Sequence, residues 1–223
     1  MRRLLIYAFG AVTLLLMSAT AFADPVTLTF EGLKDLEPIN NFYNGGTGGF
    51  GSGPGPNFGI GFSSDSLALI SRDAGGNGNF SGEPSTNTIA FFLSGAGDTM
   101  NVASGFDTGF SFFYSSNGAA SVNVFSGLNG TGTLLATLSL TSNFNRDPCT
   151  GAGPFCTWDP IGVTFGGVAE SVIFSGAANQ AGFDNITLGS ATPGGAVPEP
   201  SSLALLGTAL FGVAGIARRK FKW

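Results

Sequence analysis

The chain has 223 residues, with 14 Asp and Glu against 9 Lys and Arg and no histidine. Without histidine, Ser-His-Asp and Cys-His nucleophile systems and His-ligated zinc sites are excluded. Between residues 24 and 197, Lys34, Arg72 and Arg146 stand against thirteen carboxylates, a net charge of −10, so a basic footprint for nucleic acid or anionic lipid is absent as well.

Residues 1–23, "MRRLLIYAFGAVTLLLMSATAFA", have the form of a secretory signal peptide. Arg2 and Arg3 supply a positive start, Leu4 to Met17 an apolar stretch, and Ala21-Phe22-Ala23 a small-residue cleavage site. Signal peptidase is expected to leave Asp24 as the mature N-terminus.

Residues 24–192 are expected to form one ectodomain. The pattern here is short alternating apolar runs broken by Gly, Asn and Ser, with no long helical period. Strands are predicted at 26–32, 66–71, 87–93, 99–104, 108–116, 120–127, 133–140, 161–167, 169–176 and 182–189. Asn117-Gly118 predicts a hairpin joining 108–116 to 120–127. Short strands at this spacing leave no room for crossover helices. They predict an all-β fold, an antiparallel β-sandwich of jelly-roll type. Eighteen of the chain's 22 phenylalanines fall within 24–192 and suit a core filled by aromatic side chains from two facing sheets.

Two stretches read as loops, the Gly-rich 40–57 and the polar 72–86. The first carries Phe42 and Tyr43, aromatic side chains that could lie against a sugar ring. It is not a phosphate loop, because no strand–Gly-rich–helix context exists and no Lys follows. Glu31 and Asp184, at matching ends of "TFEG" and "GFDN", could hold a structural calcium ion together with Asn185. Their alternative role is to hydrogen-bond turns. Cys149 and Cys156, in an exported chain, predict a local disulfide. Closing so short a loop contributes roughly 2.5 kcal/mol at most in the chain-entropy account. Any catalysis would rest on carboxylates, Tyr or Lys, with a pair of carboxylates the one serious candidate. Thirteen acids always permit some pair, so no catalytic residue is assigned and the chain is read as a non-enzyme.

The C-terminal region, 193–223, has three parts after a short linker. Residues 197–200 contain Pro198-Glu199-Pro200, which can continue neither helix nor sheet and holds Glu199 extended. Residues 201–217 are almost wholly apolar and would span roughly 25 Å as a helix, short but sufficient for a membrane. The tail 218–223 follows with Arg218, Arg219 and Lys220, which stay on the cytoplasmic side and leave the ectodomain outside.

This order of parts resembles the PEP-CTERM sorting signal of Gram-negative, exopolysaccharide-producing bacteria. The resemblance implies that Pro198, Glu199 and Pro200 are recognised by exosortase, an intramembrane cysteine protease that removes the tail. It implies an inner-membrane-anchored precursor, then a protein of the cell envelope or the extracellular space. "FEGL", "NFYNGG", "SGLNGTGTLLATL" and "NQAGFDNITLG" resemble other PEP-CTERM ectodomains and, more distantly, carbohydrate-binding jelly rolls. The expected role is structural or adhesive within an exopolysaccharide or biofilm matrix. A carbohydrate-binding module with a defined glycan is the alternative, and a carboxylate-based polysaccharide hydrolase is a third reading.

Overall fold

Alternation along each strand sends one set of side chains inward and the other outward. In the computed structural model, which describes residues 24–194 apart from 96 and 152, this builds two facing antiparallel sheets. The eleven strands are β1 (Val26–Leu28), β2 (Ile60–Phe62), β3 (Ser66–Ile70), β4 (Thr88–Phe92), β5 (Gly97–Phe106), β6 (Gly109–Ser116), β7 (Ala120–Phe125), β8 (Leu134–Leu140), β9 (Asp159–Thr164), β10 (Ala169–Ser175) and β11 (Ala181–Leu188). One sheet runs β3-β4-β11-β6-β9, with β1 also paired to β11; the other runs β2-β5-β10-β7-β8. First and last strands therefore close on each other, Val26 opposite Leu188. The chain is an antiparallel, jelly-roll-like β-sandwich.

Between the sheets lies an aromatic core. Phe110 and Phe112 of β6 and Phe183 of β11 meet Phe174 of β10 from the facing sheet, all essentially without solvent exposure. The Phe174 and Phe183 rings lie 4.8 Å apart in a T-shaped pair, and Phe112 and Phe174 lie 6.0 Å apart. Such edge-to-face pairs add about 0.5–1.5 kcal/mol each beyond the area they bury.

Three expectations need correction. Strands β6 and β7 do not form a hairpin: β6 pairs with β9 and β11, while β7 pairs with β8 and β10 in the other sheet. Neither Asn117 nor Gly118 takes the positive φ that a tight hairpin turn requires. Asn117 instead bonds to Gln180, its N–H to the Gln180 carbonyl at 2.8 Å and its side chain to the Gln180 amide at 2.6 Å. The link thus crosses between sheets.

The first strand ends at Leu28 rather than running on, because Phe30 adopts φ 63° and turns the chain. Its N–H donates to the Tyr43 hydroxyl at 2.6 Å. That bond explains the third correction: Phe42 and Tyr43 are buried in the core, 5% and 3% exposed, and present nothing to a sugar. Tyr43 packs edge-on against Phe30 at 5.7 Å and stacks with Phe58 at 6.2 Å.

The Gly-rich loop is ordered around one carboxylate. Glu37 is fully buried. Its Oε1 accepts the Phe50 and Ser52 N–H groups at 2.7 and 3.0 Å, and its Oε2 accepts the Lys34 N–H at 2.7 Å. The Lys34 ammonium caps the same loop through the Phe50 carbonyl at 2.7 Å. Gly48 must be glycine for this, since a Cβ there would fall 2.5 Å from Glu37 Oε1.

Among the described residues no helix is long and apolar enough to cross a membrane. The signal peptide 1–23, the motif Pro198-Glu199-Pro200, the span 201–217 and the basic Arg218, Arg219 and Lys220 lie outside the described residues.

Candidate functional site

The outer face of the β3-β4-β11 sheet is not left to water. In β4, Ala90 and Phe92 enter the main core, while Ile89 and Phe91 point the other way and are equally buried. They form a second apolar cluster with Leu69 of β3 and Phe80, bordered by Phe155 and Trp158. Two segments cover it. One is the polar 72–86 loop; the other is the connection from β8 to β9, closed by the Cys149–Cys156 disulfide.

The two segments hold each other through backbone bonds. Phe80 and Phe155 form a parallel bridge, and the Ser81 N–H donates to the Phe155 carbonyl at 3.1 Å. The Trp158 indole N–H donates to the Ser81 carbonyl at 3.1 Å, and its ring meets Phe80 edge-on at 6.0 Å. The connection is anchored to the sheet by Asn143, whose side chain accepts the Ser116 N–H at 2.8 Å and donates to the Tyr114 carbonyl at 3.1 Å. Arg146 clamps Asp159 with two bonds of 2.8 and 2.7 Å. The Arg146 hydrogen bonds hold the Asp159 carboxyl below the usual carboxylate range, outweighing its partial burial.

A small pocket, open to solvent at its mouth, remains under this cover. Half-buried Trp158 and Phe155 give it an aromatic wall, and buried Phe80, Phe91, Ile89 and Leu69 complete the apolar lining. Gly182 of β11 opens the floor: a Cβ there would lie 2.6 Å from Ile89 Cδ1 and 3.4 Å from the Trp158 ring. Exposed Asn79 and Asn179 stand among its lining residues. Ser115 of β6 also lines it. Its hydroxyl oxygen is buried and has no hydrogen-bond partner among the described residues. An unpaired buried hydroxyl costs about 1–3 kcal/mol, so the site carries a polar group that the fold itself does not satisfy. No side chain lining the pocket ionises.

Sequence reasoning missed every one of these residues, placing 72–86 as a loop and the disulfide as a staple. The signal was in "TIAFF", where both faces of the strand are apolar. A strand apolar on both faces reports cover on its outer side as well.

The proposed calcium ligands lie elsewhere on this sheet face and act as clasps. Glu31 Oε1 accepts the Asn87 and Thr88 N–H groups at 2.8 and 2.9 Å. Asp184 is fully buried, accepting the Ser85 N–H and hydroxyl at 2.7 Å each and the Asn185 N–H at 2.7 Å. Asn185 itself sits at the β11 bulge with φ 48°. Burial pushes the Asp184 carboxyl up to about 6, against the lowering pull of those bonds. Among the described residues no three His, Cys, Asp or Glu side chains are grouped to hold a metal ion. Oxygens already facing N–H and O–H donors do not fit calcium, which needs six to eight oxygen ligands. Melting curves in millimolar calcium and in chelator are expected to superimpose; a calcium-dependent rise of several degrees would reverse this reading.

Fold and pocket thus define an all-β domain with an uncharged, aromatic-walled recess on one sheet. Residues 196–220 match the family model described as the PEP-CTERM protein-sorting motif. The chain therefore carries a PEP-CTERM sorting motif, which implies an exported protein anchored to the membrane before processing. No curated protein matches it.

Among solved structures, it is similar to a family 6 carbohydrate-binding module whose binding subsites were dissected (24% identity, 57% of this chain and 83% of that one, TM-score 0.35). It is also similar to the CBM35 of Paenibacillus barcinonensis (15% identity, 59% and 93%, TM-score 0.35). A third is a glycoside hydrolase family 43 arabinoxylan arabinofuranohydrolase from Bacillus subtilis, at 19% identity and TM-score 0.38. The match covers 57% of this chain and 25% of that hydrolase.

Proposed function

We propose that the protein is a non-enzymatic, adhesive component of an extracellular polysaccharide matrix, released from its membrane-anchored precursor by exosortase. The observation that carries this reading is the uncharged, aromatic-walled pocket on an exported domain with thirteen carboxylates. A strongly acidic domain repels anionic partners, and an aromatic wall with amides among the lining residues suits the apolar faces and hydroxyls of neutral sugars. Glu31, Glu37 and Asp184 are each committed to backbone or hydroxyl donors, which supports a binding role over carboxylate catalysis.

The test uses producing cells. Intact mass of the protein from envelope and medium is expected to show a C-terminus within or beside residues 197–201. The processed protein is expected to co-sediment with the producer's own polysaccharide, and Trp158→Ala to abolish that retention. A chain ending at Trp223 in both fractions, in cells with active exosortase, would remove the release step. Wild-type protein that stays in the supernatant would remove the adhesive role.

A further inference from the structure

We infer that the pocket receives the acetyl group of an acetylated neutral saccharide. This rests on the reading above, that the partner is an extracellular polysaccharide, and names which feature of it is recognised.

The argument is one of matching groups. The buried apolar lining, made by Leu69, Phe80, Ile89 and Phe91, offers no hydrogen bonds from its side chains. One buried polar side-chain atom there lacks a partner, the Ser115 hydroxyl oxygen. A bare pyranose ring pushed into this space would bring several hydroxyls and find one buried side chain to pair with, leaving the others desolvated and unpaired. A purely apolar group would fill the space and leave Ser115 as unsatisfied as before. An acetyl group brings one carbonyl oxygen, which accepts the Ser115 O–H, and one methyl, which packs on the aliphatic walls. A charged substituent such as a uronate carboxylate or an ammonium would enter with no counter-charge, because no lining side chain ionises. The sugar ring itself stays at the mouth against Trp158 and Phe155, with the amides of Asn79 and Asn179 available to its hydroxyls.

Trp158 lines the pocket and makes it directly observable. The chain has two tryptophans, so Trp223→Phe leaves Trp158 as the single indole. The full chain carrying that change, held in a sugar-free detergent, is titrated with two pairs of probes by fluorescence. The pairs are tri-N-acetylchitotriose against cellotriose, and acetylated xylotriose against xylotriose.

At least one acetylated probe is expected to saturate the Trp158 signal with an affinity at least tenfold above its unacetylated parent. Ser115→Ala is expected to erase that advantage, since one buried hydrogen bond is worth roughly tenfold, without lowering the melting temperature. Parents that bind as tightly as acetylated probes would overturn the inference. So would an acetyl preference that survives Ser115→Ala, or failure of every probe to bind. In each of these cases, wild-type protein still retained by the producer's polysaccharide would leave the adhesive reading standing. Loss of that retention would mark the failure of the adhesive reading itself.

Discussion

Glu37→Ala is expected to destabilise the sandwich by about 3–5 kcal/mol, lowering the melting temperature by roughly 10 °C. Three backbone N–H groups, from Lys34, Phe50 and Ser52, end on this one buried carboxylate. Hydrogen bonds to a charged acceptor contribute about 1.5–3 kcal/mol each, and truncation leaves the donors without a partner in a dry site. Burial works to raise the Glu37 carboxyl, but the bonds from Ser52, Lys34 and Phe50 hold it below the usual value. It therefore stays ionised in the folded chain. Glu37→Gln should fall between wild type and alanine, because one acceptor oxygen becomes an NH₂ group facing another donor. A loss under 1 kcal/mol for the alanine variant in thermal or denaturant melts would show that the 40–57 loop is held by other contacts.

Stability is expected to fall as pH rises from about 4 to about 7, the reverse of ordinary acid denaturation. Asp98 of β5 is 5% exposed, with Oδ1 lacking any hydrogen-bond partner among the described residues. Burial pushes its carboxyl up to about 7, helped by the nearby Asp65 charge and opposed by a Ser66 hydrogen bond. The sign follows from linkage. Below about pH 4 both folded and unfolded chains carry the proton, and Asp98 costs nothing through ionisation. Between about 4 and 7 the unfolded chain releases the proton and the folded one keeps it, so folding loses ground with each pH unit. Above about 7 the penalty is constant, on the order of 4 kcal/mol.

Asp184, raised to about 6, acts in the same direction. Repulsion among the domain's thirteen carboxylates adds to both. Asp98→Asn, which cannot ionise, should raise the melting temperature at pH 8 by at least about 5 °C. It should also cut the pH slope to about half, the Asp184 contribution remaining. Equal wild-type melting temperatures at pH 5 and pH 8 would refute the assignment.

The sandwich was legible because its signal is local. Alternation in "TGFSFFYSS", "SVNVF" and "SVIF" needs no partner to be seen, and each became a strand, with Phe110 and Phe112, Val122 and Val124, and Val172 and Phe174 in the core. The disulfide was legible for the same reason, since two cysteines seven positions apart in an exported chain have few other uses. Strand β2 was missed because three residues are too few to show alternation. The Asn117-Gly118 hairpin failed because long-range bonds to Gln180 decided the turn, and a dipeptide cannot announce its partner sixty-three positions away.

Tyr43 and Trp158 mark the same limit from opposite sides. Both are aromatic residues in stretches without regular alternation. Tyr43 went into the core because the Phe30 N–H turns toward its hydroxyl. Trp158 came to the pocket wall because the 72–86 loop and the disulfide-closed connection meet over β4. The sequence by itself determined the sorting signal at 196–220, the acidic all-β character and the strand faces, because these reside in composition, contiguous motifs and a period of two. Tertiary structure alone decided which carboxylates are clasps, which aromatics are core and where a pocket opens, because each depends on groups brought together across the chain and on the burial that results.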